Sequence, residues 1–154
     1  MPCGTVASVL TGSRGAITVV VADDDVRLSA ALAGLLDQEP GFQVVGVVAD
    51  GDSAVIAADE HRAALVVTDV RMPGGGPELV RRLVALPHRP VVAALSAQAD
   101  AATWTGMLAA GGSAYLLKGA VAGDLPELLR RCMLGHLVVT VPGAVDVVRR
   151  LLIG

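Results

Sequence analysis

Aromatic side chains are nearly absent from this chain: Phe42, Trp104 and Tyr115 are the only three in 154 residues. A core must therefore be assembled from Val, Leu, Ile and Ala, within a sequence that is 53% hydrophobic. Cysteine is equally scarce. Cys3 and Cys132 are too few for a disulfide framework and lack metal-ligand spacing. Cys132 falls in an apolar helical pattern and reads as a small buried hydrophobe. Basic charge is short as well, with 12 Lys and Arg against 15 Asp and Glu, a net charge of −3. That excludes the electrostatic footprint of a DNA- or RNA-binding surface. No charged segment followed by an apolar one opens the chain, so no signal peptide is expected. The longest uncharged run, Ala101 to Leu117, is interrupted by Gly106, Gly111, Gly112 and Ser113 and makes a poor membrane span. The expectation is one soluble, cytoplasmic domain that touches neither membrane nor nucleic acid through these residues.

What is present is a repeating order of elements. Residues 1–16 carry Gly, Ser and Thr without a period and read as a flexible N-terminal arm. Ile17 to Ala22 is a continuous run rich in β-branched residues, expected of a strand buried on both faces. Val26, Leu28, Leu32, Leu35 and Leu36 follow at helical spacing, with Asp24 or Asp25 available as N-cap. Phe42 to Ala49 is a second strand, and Asp52 or Ser53 starts an Ala-rich helix to about His61. Ala64 to Thr68 is a third strand ending at Asp69. The loop "VRMPGGGP" leads to a helix with Leu79, Val80, Leu83 and Val84 on its apolar side and Arg81 and Arg82 in water. Its glycine run predicts a mobile loop, and Pro77 suits a first helical turn. Val91 to Leu95, ending at Ser96, is a fourth strand. Asp100 to Ala110 is a helix, and Ala114 to Leu117, ending at Lys118, is a fifth strand. Asp124 then caps a helix with Leu125, Leu128, Leu129, Cys132 and Met133 on one face. Five strands alternating with helices predict an α/β fold with a parallel sheet, helices on both faces and right-handed crossovers.

In such sheets ligands bind beyond the carboxyl ends of the strands. Asp23 and Asp24, Asp69, Ser96 and Lys118 stand at the ends of strands one, three, four and five. Three converging carboxylates repel unless a cation neutralises them, and Mg²⁺ takes such oxygen ligands. Asp69 beside a divalent ion is poised as a nucleophile toward phosphorus. Lys118 supplies a charge for Asp69 or for a phosphoryl oxygen, and the Ser96 hydroxyl is a second donor. No group looks like a base that activates water, so a long-lived acyl phosphate fits better than fast hydrolysis.

Each residue alone has a plainer explanation. An Asp after a strand is more often a helix cap, Ser96 a loop serine, Lys118 a solvated charge and Tyr115 a half-buried strand residue. The Gly74–Gly76 run lacks the features of a P-loop or a dinucleotide fingerprint. His61, His88 and His136 share no spacing, and Trp104 suits the core at least as well as an interface. The conjunction of four strand ends in order lifts the acidic site above these readings.

The stretches "VVVADDDVR", "ALVVTDVRMPGG", "VVAALSA" and "GGSAYLLK" resemble the response-regulator receiver domain of bacterial two-component systems. The likeness runs from Ile17 to about Gly135. It implies a flavodoxin-like (βα)5 fold with strand order 2-1-3-4-5, and a sensor histidine kinase as phosphodonor. It implies Asp69 as phosphoacceptor, and Mg²⁺ on Asp23, Asp24, Asp69 and the backbone carbonyl of Arg71. Ser96 is then the switch hydroxyl, Lys118 the paired lysine, and Tyr115 the aromatic that turns inward on activation. Asp25 has no such duty and reads as the cap of the first helix. Gly119 stands where the family often has Pro, and "GGGP" replaces a more usual Asp-Gly.

Two other classes compete. A dehalogenase-type Mg²⁺ phosphatase also uses an Asp at a strand end, but "DDDVR" only half matches its first motif. A degenerate, phosphorylation-independent receiver acting as a binding module would be expected to have lost one of these residues. Residues 136–154 resemble a connector, with an apolar run and a helix from Gly143 to Leu152 striped by Val145, Val148, Leu151 and Leu152. Nineteen residues are too few for a helix-turn-helix output domain, so the chain is excised, stand-alone or lacking its output half. The face formed by the fourth helix, fifth strand and fifth helix is the expected switch surface and a candidate homodimer surface.

Overall fold

The computed structural model describes residues 15–121 and 123–153, so the arm expected over 1–16 lies, up to residue 14, outside the described residues. The elements run in chain order β1 (Ile17–Ala22), α1 (Val26–Gln38), β2 (Phe42–Val48), α2 (Gly51–Glu60), β3 (Leu65–Thr68), α3 (Pro77–Val84), β4 (Val91–Ser96), α4 (Ala101–Ala109), β5 (Ala114–Leu117), α5 (Leu125–Met133), β6 (Val138–Val139) and α6 (Ala144–Ile153). The sheet is parallel throughout, in the order β2-β1-β3-β4-β5-β6. The expected order 2-1-3-4-5 is present. It is extended by a sixth short strand, which the sequence shows only as an apolar run.

Strand alternation divides the core into two layers. Val20, Val66, Val92 and Tyr115 face one way, toward Ala54 and Ala58 of α2, Leu79 and Leu83 of α3, and Trp104 and Met107 of α4. Val19, Val21, Val67, Leu95 and Leu116 face the other way, toward Leu32 and Leu36 of α1 and Leu129 and Cys132 of α5. Each fully buried Val or Leu contributes about 1.5–3 kcal/mol, so aliphatic number replaces the missing aromatic bulk. Trp104 and Cys132 are both in the core, at 2% and 1% exposure.

Helix starts follow local chemistry. Asp25, Asp50 and Asp100 accept main-chain N–H bonds at the first turns of α1, α2 and α4. The cap of α2 is therefore Asp50, two residues before Asp52 and three before Ser53. Asp124 occupies the corresponding position at α5 but makes no side-chain capping bond. Pro77 starts α3, whose preceding residue Gly76 has φ +83°. Arg130 of α5 donates to the Pro40 carbonyl at 2.9 Å, pairs with Glu39 at 3.4 Å and lies over the Phe42 ring, fastening α5 to the α1–β2 turn. Among the described residues no helix is long and apolar enough to cross a membrane.

Candidate functional site

The site lies where β1, β3, β4 and β5 end together. Main-chain bonds place its carboxylates: the Asp23 amide donates to the Val48 carbonyl at 3.0 Å, and the Asp69 amide to Ala22 at 2.8 Å. Asp23, Asp24 and Asp69 each offer an oxygen within 4.8 Å of the other two. Asp23 and Asp69 are buried, at 4% and 8% exposure, and Asp24 is exposed. Asp25 stands apart. Its carboxylate accepts from the Arg27 and Leu28 amides, the capping role that the resemblance left to it.

Lys118 reaches into this cluster from the end of β5. Its Nζ is 3.2 Å from Asp23 Oδ2 and 3.2 Å from Asp69 Oδ1. The other Asp23 oxygen accepts from the Asp25 amide at 2.9 Å. Burial is the largest single influence on the Lys118 ammonium and lowers its pKa, but the Asp69 and Asp23 carboxylates together outweigh it and hold the pKa above its ordinary value. Two unit charges about 4–5 Å apart repel by about 3–4 kcal/mol at an effective dielectric near 20. Three carboxylates against one ammonium leave two negative charges. An all-oxygen set of that charge fits a hard dication such as Mg²⁺.

Ser96 is buried at the end of β4, where its Oγ accepts from the Gln98 amide at 3.0 Å. The Lys118 amide donates to the Ser96 carbonyl at 2.9 Å, tying both strand ends together. Tyr115 is fully buried, with its hydroxyl donating to the Gln98 carbonyl at 2.7 Å. The ring is thus turned inward, and burial pushes its phenol pKa up. Gln98 went unread because it contributes only main-chain atoms. Arg71 lies two residues past Asp69, with its side chain exposed. A shallow apolar groove lined by Leu28, Leu32, Leu35, Val121 and Leu125 opens beside Lys118.

The loop between β3 and α3 lies against the start of α2. The Gly51 amide donates to the Pro73 carbonyl at 2.8 Å, and the Gly75 amide to Met72 at 2.9 Å. A Cβ on Gly51 would lie 2.0 Å from the Gly74 oxygen. This close backbone approach is one that glycine alone permits.

Comparison with known proteins agrees with this geometry. A family model described as "Response regulator receiver domain" matches residues 19–130. The chain is 34% identical over 122 residues to the response regulator GacA of Pseudomonas protegens, covering 78% of this chain and 57% of that protein. It is also 34% identical over 119 residues to a protein-glutamate methylesterase/protein-glutamine glutaminase of Anaeromyxobacter dehalogenans, covering 77% and 35% respectively. Thus the chain spans about half the length, or less, of these curated relatives. Among solved structures, a LuxR-family two-component response regulator from Aurantimonas superposes with a TM-score of 0.79 at 20% identity, over 90% of this chain and 99% of that one. The response regulator domain of Thermotoga maritima CheB gives 0.70 at 26% identity, over 77% and 96%. Family match, sheet order and acidic strand ends agree, and the chain belongs to the response regulator receiver domains of two-component signalling.

Proposed function

We propose that Asp69 is the phosphoacceptor of this receiver and that a sensor histidine kinase is its physiological donor. One observation carries the reading: Lys118 bridges Asp23 and Asp69 at 3.2 Å each, inside a triad of carboxylates. An Asp69 oxygen attacks phosphorus, forming the acyl phosphate P–O bond. The bond from phosphorus to the donor breaks, and the electron pair leaves with the donor's imidazole, or with acetate when acetyl phosphate is used. Asp23, Asp24, Asp69 and the Arg71 carbonyl would hold Mg²⁺, which would supply charge neutralisation for the incoming phosphoryl group. On transfer, the Lys118 ammonium exchanges a carboxylate oxygen for a phosphoryl oxygen. The Ser96 hydroxyl donates to another, releasing the Gln98 amide, while the Tyr115 ring, already inward, senses the shift through its bond to the Gln98 carbonyl.

In this reading residues 17–135 are the receiver unit and 136–154 a connector. The domain is not an enzyme in its own right and acts in the cytoplasm. The α4–β5–α5 face is its switch surface and its route to a homodimer, and β6 running alongside β5 is part of what that surface must accommodate. DNA contact belongs to none of these residues.

The test is intact mass after incubation with acetyl phosphate, with Mg²⁺ or with EDTA. Wild type gains one base-labile phosphoryl group only with Mg²⁺, and Asp69→Ala gains none. Lys118→Ala keeps some loading but loses the response of the switch surface. Loading of Asp69→Ala at the wild-type rate would overturn the assignment. Rapid consumption of donor without a trapped adduct would favour phosphatase chemistry instead.

A further inference from the structure

Beyond α5, a hydroxyl from the connector joins the strand that carries Lys118. Thr140 follows β6, ten residues past the end of the family match. Its Oγ1 accepts from the Leu117 amide at 2.8 Å, and its own amide donates to the Tyr115 carbonyl at 3.1 Å. Val138 donates to the Ser113 carbonyl just before, and the β6 register places Val138 on Ala114 and Val139 on Tyr115. The strand β6 has ended by then, so a side-chain oxygen takes the place of a strand carbonyl at the last residue of β5.

That residue immediately precedes Lys118. β5 is only four residues long, and after Lys118 comes Gly119, at which a Cβ would meet nothing within 4 Å. No proline restrains the chain at Gly119, and it is next fastened by the Ala120 amide, which donates to the Leu117 carbonyl at 3.0 Å, and by Val121, buried in the core. Two bonds hold the Lys118 main chain from opposite sides: its amide to Ser96, and the preceding Leu117 amide to Thr140. Without the hydroxyl, an inner-strand amide at the site would have to find water.

We infer that Thr140 is a positioning residue for the phosphoacceptor site, fixing the end of β5 so that the Lys118 ammonium meets Asp23 and Asp69. The inference rests on the reading of Asp69 as phosphoacceptor. It makes the connector part of the site's machinery and not only a spacer behind it.

The test uses the full chain with Thr140→Val, which keeps shape and removes the acceptor, and Thr140→Ser, which restores it. Two readouts are taken: amide hydrogen exchange at Leu117 and Lys118, and the rate of acetyl phosphate loading with Mg²⁺. Thr140→Val should exchange at least tenfold faster at both amides and load about three- to tenfold more slowly, with Mg²⁺ affinity within twofold of wild type. Thr140→Ser should match wild type in all three. Faster exchange at Leu117 with Lys118 unchanged overturns the inference. So does a serine variant no better than valine, or a loss of Mg²⁺ affinity in parallel with rate, which marks general loosening. If valine prevents folding, Thr140→Ala is read by the same measures. Should wild type take up no phosphoryl group, the phosphoacceptor reading falls, while hydrogen exchange still decides whether Thr140 holds Lys118.

Discussion

Asp23, Asp24 and Asp25 are identical side chains in three environments. Asp23 is buried with both oxygens engaged, one by Lys118 and one by the Asp25 amide. Asp24 is exposed but points an oxygen into the acidic cluster. Asp25 spends its carboxylate on the first turn of α1. Removing a cap of this kind costs about 1 kcal/mol, so Asp25→Ala should lower the unfolding free energy from urea titration by that much while leaving Mg²⁺-dependent loading at the wild-type rate. A loading defect without a stability change would reassign Asp25 to the site. The helical period alone left Asp24 or Asp25 as the cap, and only the resemblance to receiver domains, which gives Asp24 to the metal, singled out Asp25. Gln98 was not legible, since its main-chain atoms, unlike its side chain, leave no mark in a sequence.

At the scale of elements, the loop from Val70 to Gly76 shows what a glycine run conceals. Gly51 begins α2, and the Gly74 carbonyl occupies the space a Cβ there would need. The Arg82–Asp52 ion pair at 2.8 Å ties α3 to the same end of α2. Both contacts join residues far apart in sequence, so no local pattern announces them. Gly51→Ala must push the loop, and Arg71 with it, away from α2. Overpacking of this kind costs about 1–3 kcal/mol, and loading of Asp69 should slow along with it. Gly34, mid-helix in α1 with nothing within 4 Å of a Cβ, is the internal control. Gly34→Ala should raise stability by about 0.5–1 kcal/mol. Urea midpoints decide both, and a Gly51→Ala chain as stable as wild type would disprove the contact. Helix positions were readable from period, and the five longer strands from apolar runs that end at polar residues or turns. The sixth strand was not, because two residues, Val138 and Val139, carry no period to read.

For the whole molecule, the sheet separates two aliphatic layers, and each contains a group whose proton the fold protects. Cys132 lies in the layer under α1 and α5 at 1% exposure, and burial pushes its thiol from 9.0 to about 11. Tyr115 lies in the other layer, its phenol raised above 10.0, chiefly by burial. Lys118 at the sheet's end is raised above 10.5: burial opposes this, and the two carboxylates prevail. All three pKa values are higher folded than unfolded, so each contribution is complete below the unfolded value and is lost as pH rises through the folded one. For Cys132 the window runs from 9.0 to about 11. At about 1.36 kcal/mol per pH unit, the thiol alone removes roughly 2–3 kcal/mol once that window is crossed. Tyr115 and Lys118 add to the fall at its upper end. The urea midpoint should therefore be flat from pH 7 to 8.5 and then decline steeply, with an unchanged m-value. Cys132→Ala should start lower, from the cavity it leaves, yet decline less between pH 9 and 10.5. If the variant's slope equals that of wild type, the thiol is not protected by folding, and the alkaline loss belongs to Tyr115 and Lys118 alone.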